Sequence, residues 1–416
     1  MIKTFSKILL ILLLACTLPT PRGLAAVGDT SADIVIGQPN FTTNTQNTGG
    51  VGPNGLALPQ AAIPDAVGNL FVVDSSNSRV LFYPNPISIG AAASRVFGQP
   101  NLYANNQNNS GVSASSLRLP QAGVLDGFPF GAANKLYIAD SGNSRVLVFN
   151  APLSGDTIAD RVFGQPGFTS GIVNNGGVNE FTLALPTSLA VDGAGTLYVT
   201  DSDNHRVLAY QNPDEPNASS ATKADRVFGQ PDFKSNVVNN GGIGPGSLNY
   251  PQGVTLDRVG NLYIADTENH RVLVYTAPIT DTSADLVIGQ PDYVSNISNR
   301  GGTASANTLS FPFSLAVDNA GTLYIADYGN NRILAYINPL TSDTTADVVF
   351  GQPDFNSSNS NQLELNASTL AGPIRISVDS AGSLFTADMN NNRVLKYDLP
   401  PIYLQLYYLF FPTFHR

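Results

Sequence analysis

Residues 201–210 read Asp-Ser-Asp-Asn-His-Arg-Val-Leu-Ala-Tyr, or DSDNHRVLAY. The stretch places an aspartate, an asparagine, a histidine and an arginine within six residues. That composition would suit a catalytic or metal-binding cluster, and it would equally suit a polar turn of the scaffold. The stretch recurs as DSSNSRVLFY from Asp74, DSGNSRVLVF from Asp140, DTENHRVLVY from Asp266, DYGNNRILAY from Asp327 and DMNNNRVLKY from Asp388.

Three residues of this stretch return in every copy, and its histidine does not. The position of the histidine is occupied by Ser78, Ser144, His205, His270, Asn331 and Asn392. Because chemistry is not expected at six places on one chain, the shared residues are predicted to be structural. They are Asp74, Asn77, Arg79, Asp140, Asn143, Arg145, Asp201, Asn204, Arg206, Asp266, Asn269, Arg271, Asp327, Asn330, Arg332, Asp388, Asn391 and Arg393.

Each copy lies inside a longer unit whose parts keep a fixed order. In one unit an apolar run that starts with proline (251–257, PQGVTLD) is followed by a glycine turn and a second run (261–266, NLYIAD). The DxxNxR turn then leads to a third run, and a fourth run ends in GQP (285–291, DLVIGQP). The runs are short, rich in Val, Ile, Leu, Tyr and Phe, and bounded by Gly, Pro, Asn and Asp, which is typical of strands. Four strands in each of six units predict an all-β, six-bladed β-propeller of four-stranded antiparallel blades.

The run LYIADxxNxRVLxY resembles the NHL-repeat family, and the resemblance extends over residues 32–397. It implies a six-bladed propeller of a bacterial exported type, in which the repeated GQP and the long segment after it enlarge the NHL unit. It also implies a protein, peptide or glycan partner.

The ends of the repeat array predict how the ring closes. The first GQP run, 32–39, comes before any three-strand unit, and the last three-strand unit, ending near Asp398, has no GQP run after it. Residues 33–37 are therefore expected to form the outer strand of the sixth blade, paired with 393–397, which leaves no gap in the ring. The alternative is that the apolar tail 402–411 supplies this strand.

The N-terminal segment is interpreted as an export signal. Lys3 and Lys7 precede the apolar run 8–15, which is too short for a membrane-spanning helix. We expect a signal peptide over 1–26, cleaved near Ala26; the alternative is a lipid anchor at Cys16, within the lipobox-like 13–16. The propeller is assigned to 27–400 and the apolar tail, too short to span a bilayer, to 401–416. The protein is expected to be secreted or at the cell surface, with periplasmic or lipid-anchored locations as alternatives.

Composition narrows the classes of function. The formal net charge of −10 argues against sequence-independent binding to nucleic acid, which requires an excess of Lys and Arg. With a single Cys, neither an intrachain disulfide nor a cysteine-based zinc site can form. Only three His are present, and no HExxH, EF-hand loop or GxSxG elbow occurs, so no catalytic residue is nominated. The glycine-rich 192–195 is interpreted as a β-turn rather than a phosphate loop.

The repeated polar residues are given structural roles. Each Asp is expected to accept N–H groups of the turn, and each Asn to adopt the left-handed conformation. Each Arg is expected to pair with a carboxylate of its own or the adjacent blade, in a fork that Lys cannot copy.

Candidate ligand-binding residues lie at two levels of the propeller. The long polar loops after GQP are expected to lie together on one face of the propeller. Loops on a rigid scaffold commonly bind partners; alternatively, these loops only cover the edges of the blades.

Two residues after the leading proline, five units carry Ala, Ser or Gly and the sixth carries Arg375. Arg375 is either a cation facing the central channel, as an anion site, or the partner of a nearby carboxylate. The other candidates are Gln60, Gln121 and Gln252, one residue after the proline, and Asp203 and Glu268 in the DxxNxR turns.

The sequence is interpreted as that of an exported, monomeric binding scaffold for a protein, peptide or glycan ligand on the long-loop face. The alternative is a metal-dependent hydrolase or lyase, lactonase-like or peptidyl-hydroxyglycine-lyase-like, acting at the central channel. An RNA-binding role is disfavoured by the acidity and the export signal. No cofactor is predicted, although calcium bound by Asn and Asp oxygens at the channel is left open.

Overall fold

The computed structural model describes residues 30–126, 134–211, 213, 222–276 and 278–399. These residues form 24 strands in six four-stranded antiparallel sheets, and no α-helix occurs among them. The first strand of each sheet contacts the first strand of the next, and that of the last sheet contacts that of the first, so the sheets close into a ring of six blades. The proposed signal segment 1–26, Cys16 and the tail 401–416 lie outside the described residues.

Each blade runs from an inner strand beside the central channel to a short outer strand. Blade 1 consists of β2 (Pro59–Pro64), β3 (Leu70–Asp74), β4 (Arg79–Tyr83) and β5 (Arg95–Phe97). Blade 2 consists of β6 (Ala122–Leu125), β7 (Lys135–Asp140), β8 (Arg145–Asn150) and β9 (Arg161–Phe163). Blade 3 consists of β10 (Pro186–Val191), β11 (Leu197–Asp201), β12 (Arg206–Tyr210) and β13 (Arg226–Phe228). Blade 4 consists of β14 (Gly253–Leu256), β15 (Leu262–Asp266), β16 (Arg271–Tyr275) and β17 (Leu286–Ile288). Blade 5 consists of β18 (Pro312–Val317), β19 (Thr322–Asp327), β20 (Arg332–Ile337) and β21 (Val348–Phe350). Blade 6 consists of β22 (Pro373–Val378), β23 (Leu384–Asp388), β24 (Arg393–Tyr397) and, from the start of the chain, β1 (Ile34–Ile36).

Blade 6 joins the two ends of the chain. β1 lies antiparallel to β24, with Ile34 opposite Lys396 and Ile36 opposite Val394. The predicted ring closure is confirmed, and β1 occupies the outer position that the alternative gave to the tail.

Short 3-10 turns connect the second and third strand of every blade. They are Ser75–Asn77, Ser141–Asn143, Ser202–Asn204, Thr267–Asn269, Tyr328–Asn330 and Met389–Asn391. Three more 3-10 segments, Val238–Gly241, Ser298–Gly301 and Ser360–Leu363, lie in the long loops between blades. We call the side that carries these loops and turns the long-loop face, and the other side the opposite face.

The hydrophobic core lies between blades. The cluster between blades 3 and 4, for example, combines Tyr198 and Val207 of one blade with Ile264 and Tyr275 of the other, all at most 2% exposed. Because both faces of a blade pack against neighbours, its second and third strands, such as LYIAD and RVLVY in blade 4, are mostly apolar instead of alternating with polar residues.

The repeated Asp and Arg form a buried ion pair within each blade, as predicted. In blade 3, Nε of Arg206 donates to Oδ2 of Asp201 at 2.7 Å, and both side chains are 0% exposed. Equivalent pairs of 2.6–2.8 Å occur in the other five blades. The remaining Arg206 donors reach loop carbonyls on both sides, of Asn179 and Thr182 before the blade and of Phe233 after it. One side chain thus holds two long loops.

Two details of the predicted turn were wrong. The carboxylate of Asp201 accepts no backbone N–H of the turn that follows it; its Oδ1 accepts the backbone N–H of Ala184, in the preceding loop, at 2.6 Å. The left-handed residue is not Asn204 but His205, with φ of 51°. The carboxylate of Asp201 and the amide of Asn204 hold the preceding loop, so the next residue, His205, reverses the chain direction.

The repeated Asn binds a second Asn of the long loop. Asn204 and Asn174 exchange amide hydrogen bonds of 2.8 and 2.9 Å, and Asn204 also donates to Asp201 at 2.8 Å. The same reciprocal pairing occurs in every blade between Asn77 and Asn47, Asn143 and Asn108, Asn269 and Asn239, Asn330 and Asn299, and Asn391 and Asn361. The long loops are therefore fixed to the blades at a regular position.

The GQP motif also anchors these loops. Gln230 donates to the carbonyls of His205, at 3.1 Å, and Val237, at 2.8 Å, and so joins the loop to the turn of its own blade. Gly229 has φ of +88°, and a Cβ atom there would lie 2.6 Å from Cδ1 of Leu248. The glycine is thus required by both backbone conformation and space.

Candidate functional site

A cavity of about 1060 Å³ occupies the centre of the ring. Inner strands of all six blades line it, mostly with Ala, Val, Ile and Leu. The fourth residue after each leading proline contributes to the wall in every blade: Ile63, Val124, Ala190, Thr255, Ala316 and Ser377. The lining continues into the turns 192–195 and 257–260, which connect first and second strands. The cavity therefore opens on the opposite face, away from the long loops.

Arg375 crosses the channel near its long-loop end. Its Nη1 donates to the carbonyl of Phe313 in blade 5 at 3.2 Å, and its Nη2 donates to the carbonyl of Thr187 in blade 3. Blade 3 lies opposite blade 6 in the ring, so the side chain spans the channel and forms the floor of the cavity. The predicted cation facing the channel is found here. The alternative partner, a carboxylate, is not found among the described residues, and an anion-binding role stays a prediction.

The guanidinium of Arg375 is buried without a compensating charge. The residue is 5% exposed, and its Nε has no hydrogen-bond partner among the described residues. Burial lowers the pKa of Arg375 to about 9, and no charged group of the described chain offsets this shift. Since that value lies above neutral pH, the side chain remains charged. An isolated buried charge is costly, and an opposite charge reduces the cost.

The mouth of the cavity combines apolar and acidic residues. Val259 and Ile279 line it and are 84% and 67% exposed. Asp192 and Asp257 also line it, but each uses Oδ1 to accept N–H groups of its own turn at 2.8–3.0 Å. Gly195 donates to the carbonyl of Asp192 at 3.0 Å, so the interpretation of 192–195 as a β-turn is confirmed. The rim carboxylates are therefore engaged in turns.

Tyr198 adds a hydroxyl near this rim. Burial, with a smaller contribution from Asp192, raises the pKa of Tyr198 to about 12, so the phenol is neutral and serves as a donor.

The three glutamines predicted as ligand-binding residues are not part of the cavity lining. Gln60 is 8% exposed, and its Nε2 lies 3.0 Å from Sδ of Met389 in the adjacent blade. Gln252 is buried and Gln121 is half-buried. A contact between blades uses only Nε2 of Gln60, and a ligand-binding role for the three stays a prediction.

Asp203 and Glu268 are exposed on the long-loop face, in the turns of blades 3 and 4. Asp203 accepts a hydrogen bond from the hydroxyl of Tyr250. Burial first, and then Asp203, raises the pKa of this tyrosine to about 12. The two acidic residues lie on the far side of the ring from the cavity mouth, and their role in ligand binding also stays a prediction.

The two turn histidines connect neighbouring blades. Nδ1 of His205 accepts the backbone N–H of Tyr250 at 3.0 Å, and Nδ1 of His270 accepts that of Phe311 at 3.1 Å. At the same position Asn331 accepts from Gly372, Asn392 from Leu58, and Ser78 from Leu119. What Ser, His and Asn share is an acceptor atom. The polar cluster of 201–206 is thus scaffold, and its histidine holds the next blade.

We predict an acid-dependent loss of stability that these histidines cause. Burial lowers the pKa of His205 and His270 below 6.5, so the unfolded chain takes up protons that the folded chain does not. Stability is therefore complete above about pH 6.5 and falls as the pH decreases below it. Asparagine keeps the acceptor and does not titrate. Between about pH 7.5 and 5.5, the Tm of the wild type should fall about 1–3 °C more than that of a His205→Asn, His270→Asn double variant. Equal falls measured by calorimetry would contradict this role.

Two further properties concern metals and membranes. Within the described ranges, no group of three or more His, Cys, Asp or Glu side chains lies close enough to hold a metal ion. Calcium bound by Asn and Asp oxygens at the channel is still left open. In the same part of the chain, no helix has the length and apolarity required to cross a membrane.

Among the lining residues, the sequence singled out those that lie two positions after the leading proline, such as Ser188, Ser314 and Arg375, but not the wall residues four positions after it. Their only signal is the constant spacing of four residues from the leading proline, and small or aliphatic residues at that position carry no chemistry of their own. The walls become a site only because six such positions meet around one axis.

Comparisons with known proteins agree with this fold. A family model described as NHL repeat matches residues 183–210, 248–275 and 309–336, which are parts of blades 3, 4 and 5. The chain is 28% identical over 163 residues to NHL repeat-containing protein 3 of Mus musculus, covering 38% of this chain and 39% of the mouse protein. It is 27% identical over 212 residues to the chloroplastic protein SUPPRESSOR OF QUENCHING 1 of Arabidopsis thaliana, covering 49% of this chain and 18% of the plant protein. The matches thus span well under half the length of either relative.

The chain is also similar to solved structures. A structural genomics protein of unknown function from Bacteroides thetaiotaomicron has a TM-score of 0.50 at 17% identity, covering 86% of this chain and 74% of that one. Virginiamycin B lyase from Staphylococcus aureus has a TM-score of 0.43 at 13% identity, covering 85% of this chain and 96% of that one. At these identities the similarity concerns the fold alone.

Proposed function

We propose that this chain, a six-bladed β-propeller with NHL repeats, is a binding protein that takes an organic ligand into its central cavity. The observation that carries the proposal is the cavity itself: about 1060 Å³, with largely aliphatic walls and one buried guanidinium at its floor. Ligand sites are typically concave and mostly apolar, with a few convergent polar groups that set orientation. The volume is sufficient for a small organic molecule and too small for a folded protein.

The polar groups of the lining favour binding over catalysis. Three serines line the cavity, and each hydroxyl already contacts the backbone. Ser188 accepts the N–H of Val254 at 3.3 Å, Ser314 accepts that of Ile376 at 3.2 Å, and Ser377 donates to the carbonyl of Ala62 at 2.7 Å. No described histidine lines the cavity to act as a base for them. A metal-dependent hydrolase or lyase at the channel remains the alternative.

A partner on the long-loop face is the second candidate function. Ile172, Val237 and Ile297 occupy equivalent positions in three successive long loops and are 62%, 56% and 62% exposed. Exposed aliphatic side chains on rigid loops suit contact with a protein or peptide, and the abundant Asn of these loops would suit a glycan. We place the protein outside the cytoplasm, secreted or at the cell surface, as a monomer.

Filling the cavity is expected to abolish ligand binding. Thr255 lines the cavity and is half-buried, so Thr255→Phe places an aromatic ring in the space that a ligand would use. The neutral dye N-phenyl-1-naphthylamine serves as the probe. Its fluorescence titration should give saturable binding of one dye per wild-type chain, and at least a tenfold weaker Kd for the variant, since each lost 1.4 kcal/mol is a factor of ten.

The matched control is Thr303→Phe, which makes the same change at an exposed residue of a long loop. This control should bind the dye as the wild type does. Unsaturable binding to the wild type, or equal affinity of the Thr255 variant, would contradict a ligand site in the cavity. A dye lost from Thr303→Phe instead would favour the long-loop face.

A further inference from the structure

We infer that the ligand of the cavity is an organic anion: an apolar body that carries one carboxylate, sulfonate or phosphate group, bound by Arg375. This inference rests on the proposed function and specifies its ligand. The apolar body would lie against the aliphatic walls, and the anionic group would lie at the floor.

Arg375 breaks the repeat at one position only. Two residues after the leading proline, the other blades carry Ala61, Ala122, Ser188, Gly253 and Ser314. The scaffold thus needs no cation at this position, because small residues fill it in five blades. Gly253 also leaves space beside the carbonyl of Phe313, which accepts a hydrogen bond from the guanidinium of Arg375. A Cβ at position 253 would lie 2.6 Å from that carbonyl oxygen. The sixth blade has a charge where the repeat requires none.

The guanidinium is held in place but not neutralised. Two of its nitrogens donate to the carbonyls of Phe313 and Thr187, and its Nε–H has no partner among the described residues. Arg375 is 95% buried, its exposure being 5%, and it belongs to the cavity lining. A fixed, buried cation with a donor left over is suited to an anion, because charge-assisted hydrogen bonds are about twice as strong as neutral ones.

Two hydroxyl groups lie in the same layer as Arg375. Ser188 and Ser314 each accept a backbone N–H through Oγ, which leaves the O–H of each free to donate. Both residues line the cavity. One cation and two hydroxyl donors at the floor provide the polar groups that an oxyanion requires.

The acidic rim directs such a ligand to one orientation. Asp192 and Asp257 line the mouth, where both are partly exposed and their carboxylates cap turns. An anionic group is repelled at the rim and attracted at the floor, so the apolar part of the ligand is left between them. A neutral ligand of the same shape would gain nothing from Arg375.

A purely structural role for Arg375 is the competing explanation. Its bonds to blades 3 and 5 would then only hold the ring together, and the charge would be incidental. Two variants separate the two roles, because both lose the fork to the carbonyls of Phe313 and Thr187. Arg375→Gln also removes the charge, whereas Arg375→Lys keeps it and should retain the preference for an anion. Arg118→Gln is the matched control, as it removes one charge from an exposed arginine outside the cavity lining.

The experiment compares two dyes with one skeleton, neutral N-phenyl-1-naphthylamine and the anionic 8-anilinonaphthalene-1-sulfonate, on the full chain. The wild type and Arg118→Gln should bind the sulfonate roughly 10–100-fold more tightly than the neutral dye, the range expected for a charge-assisted hydrogen bond. In Arg375→Gln the preference should fall to about threefold or less, with the affinity for the neutral dye retained. Thr255→Phe should lose both dyes.

Two outcomes would overturn the inference. Equal affinity of the wild type for both dyes would leave a cavity that binds without charge selection, so the proposed function would stand alone. An unchanged preference for the sulfonate in Arg375→Gln would assign anion binding to another group. Failure of the wild type to bind the neutral dye saturably would instead contradict the proposed function itself. The ratio of the wild-type affinities for the two dyes tests the inference even if the Arg375 variant does not fold.

Discussion

Replacing Arg206 with alanine is expected to destabilise the protein by about 3–5 kcal/mol. Arg206 and Asp201 are both fully buried, and their contact is 2.7 Å. Removing the arginine leaves the carboxylate of Asp201 as an uncompensated charge in the protein interior. The cost of such a charge exceeds the net value of the pair, because its desolvation is no longer balanced.

The loss extends beyond the ion pair. Arg206 also donates to Asn179 and Thr182 in the loop before blade 3 and to Phe233 in the loop after it. Both loops lose their common anchor, so the variant should also show faster proteolysis there. Arg206→Lys should recover only part of the stability, since an ammonium group cannot reproduce the planar fork.

Urea unfolding would measure the change in the free energy of unfolding. Arg118→Ala is the control: this arginine is exposed, and its loss should cost less than about 0.5 kcal/mol. A change below about 1 kcal/mol for Arg206→Ala would contradict the structural role that we assign to the repeated Asp and Arg.

The second large effect is expected at the glycine of GQP. Gly229→Ala should cost about 2–4 kcal/mol, because a left-handed backbone and a crowded site both oppose a side chain. The added Cβ would lie 2.6 Å from Cδ1 of Leu248 and 2.8 Å from the carbonyl oxygen of His205. The leucine can move, but the backbone carbonyl cannot move without disturbing the turn.

Gly241→Ala separates the two causes. Gly241 has φ of +82°, similar to the +88° of Gly229, and a Cβ there would meet nothing within 4 Å. The free energy of unfolding of this variant should therefore fall only by the cost of a left-handed backbone at alanine, about 1 kcal/mol. Equal losses for the two variants would show that steric contact with Leu248 and His205 contributes little.

The fold could be predicted because its determinants repeat. Each copy of the DxxNxR stretch contains the end of one strand, a turn and the start of the next strand. The first GQP run precedes every three-strand unit, and this order indicates how the ring closes. Repeated Asp–Arg pairs were predicted, and the structure shows that Arg206 pairs with Asp201 of its own blade, in the interior. The exchange between Asn204 and Asn174 was not predicted, since the two lie 30 residues apart and the partner cannot be distinguished within an Asn-rich loop.

The site could be predicted only in part. Arg375 was identified because it departs from the five small residues at its position, but its partners lie on blades 3 and 5, which no local pattern reveals. The long-loop face was favoured for its length and polarity. The cavity, however, opens on the opposite face. Its wall residues share a constant spacing from the leading proline, but their small or aliphatic side chains do not distinguish them from core residues.

The residues of the repeated turns and the single residue Arg375 have different roles. The repeated Asp, Asn and Arg, together with the acceptor residue that follows each Asn, such as His205 or His270, hold strands, turns and loops together. The residue that does not repeat, Arg375, lies in the cavity with its charge uncompensated by the described chain. In a ring of near-identical blades, the departure from the repeat is therefore the best indication of function.

A crystal structure of the protein with 8-anilinonaphthalene-1-sulfonate would test the central-cavity site most directly. We expect one dye molecule in the cavity, with a sulfonate oxygen about 3 Å from Nε of Arg375 and the rings between the inner strands. A dye bound on the long-loop face, beside Ile172, Val237 and Ile297, with an unoccupied cavity, would contradict the proposal and assign binding to the loops.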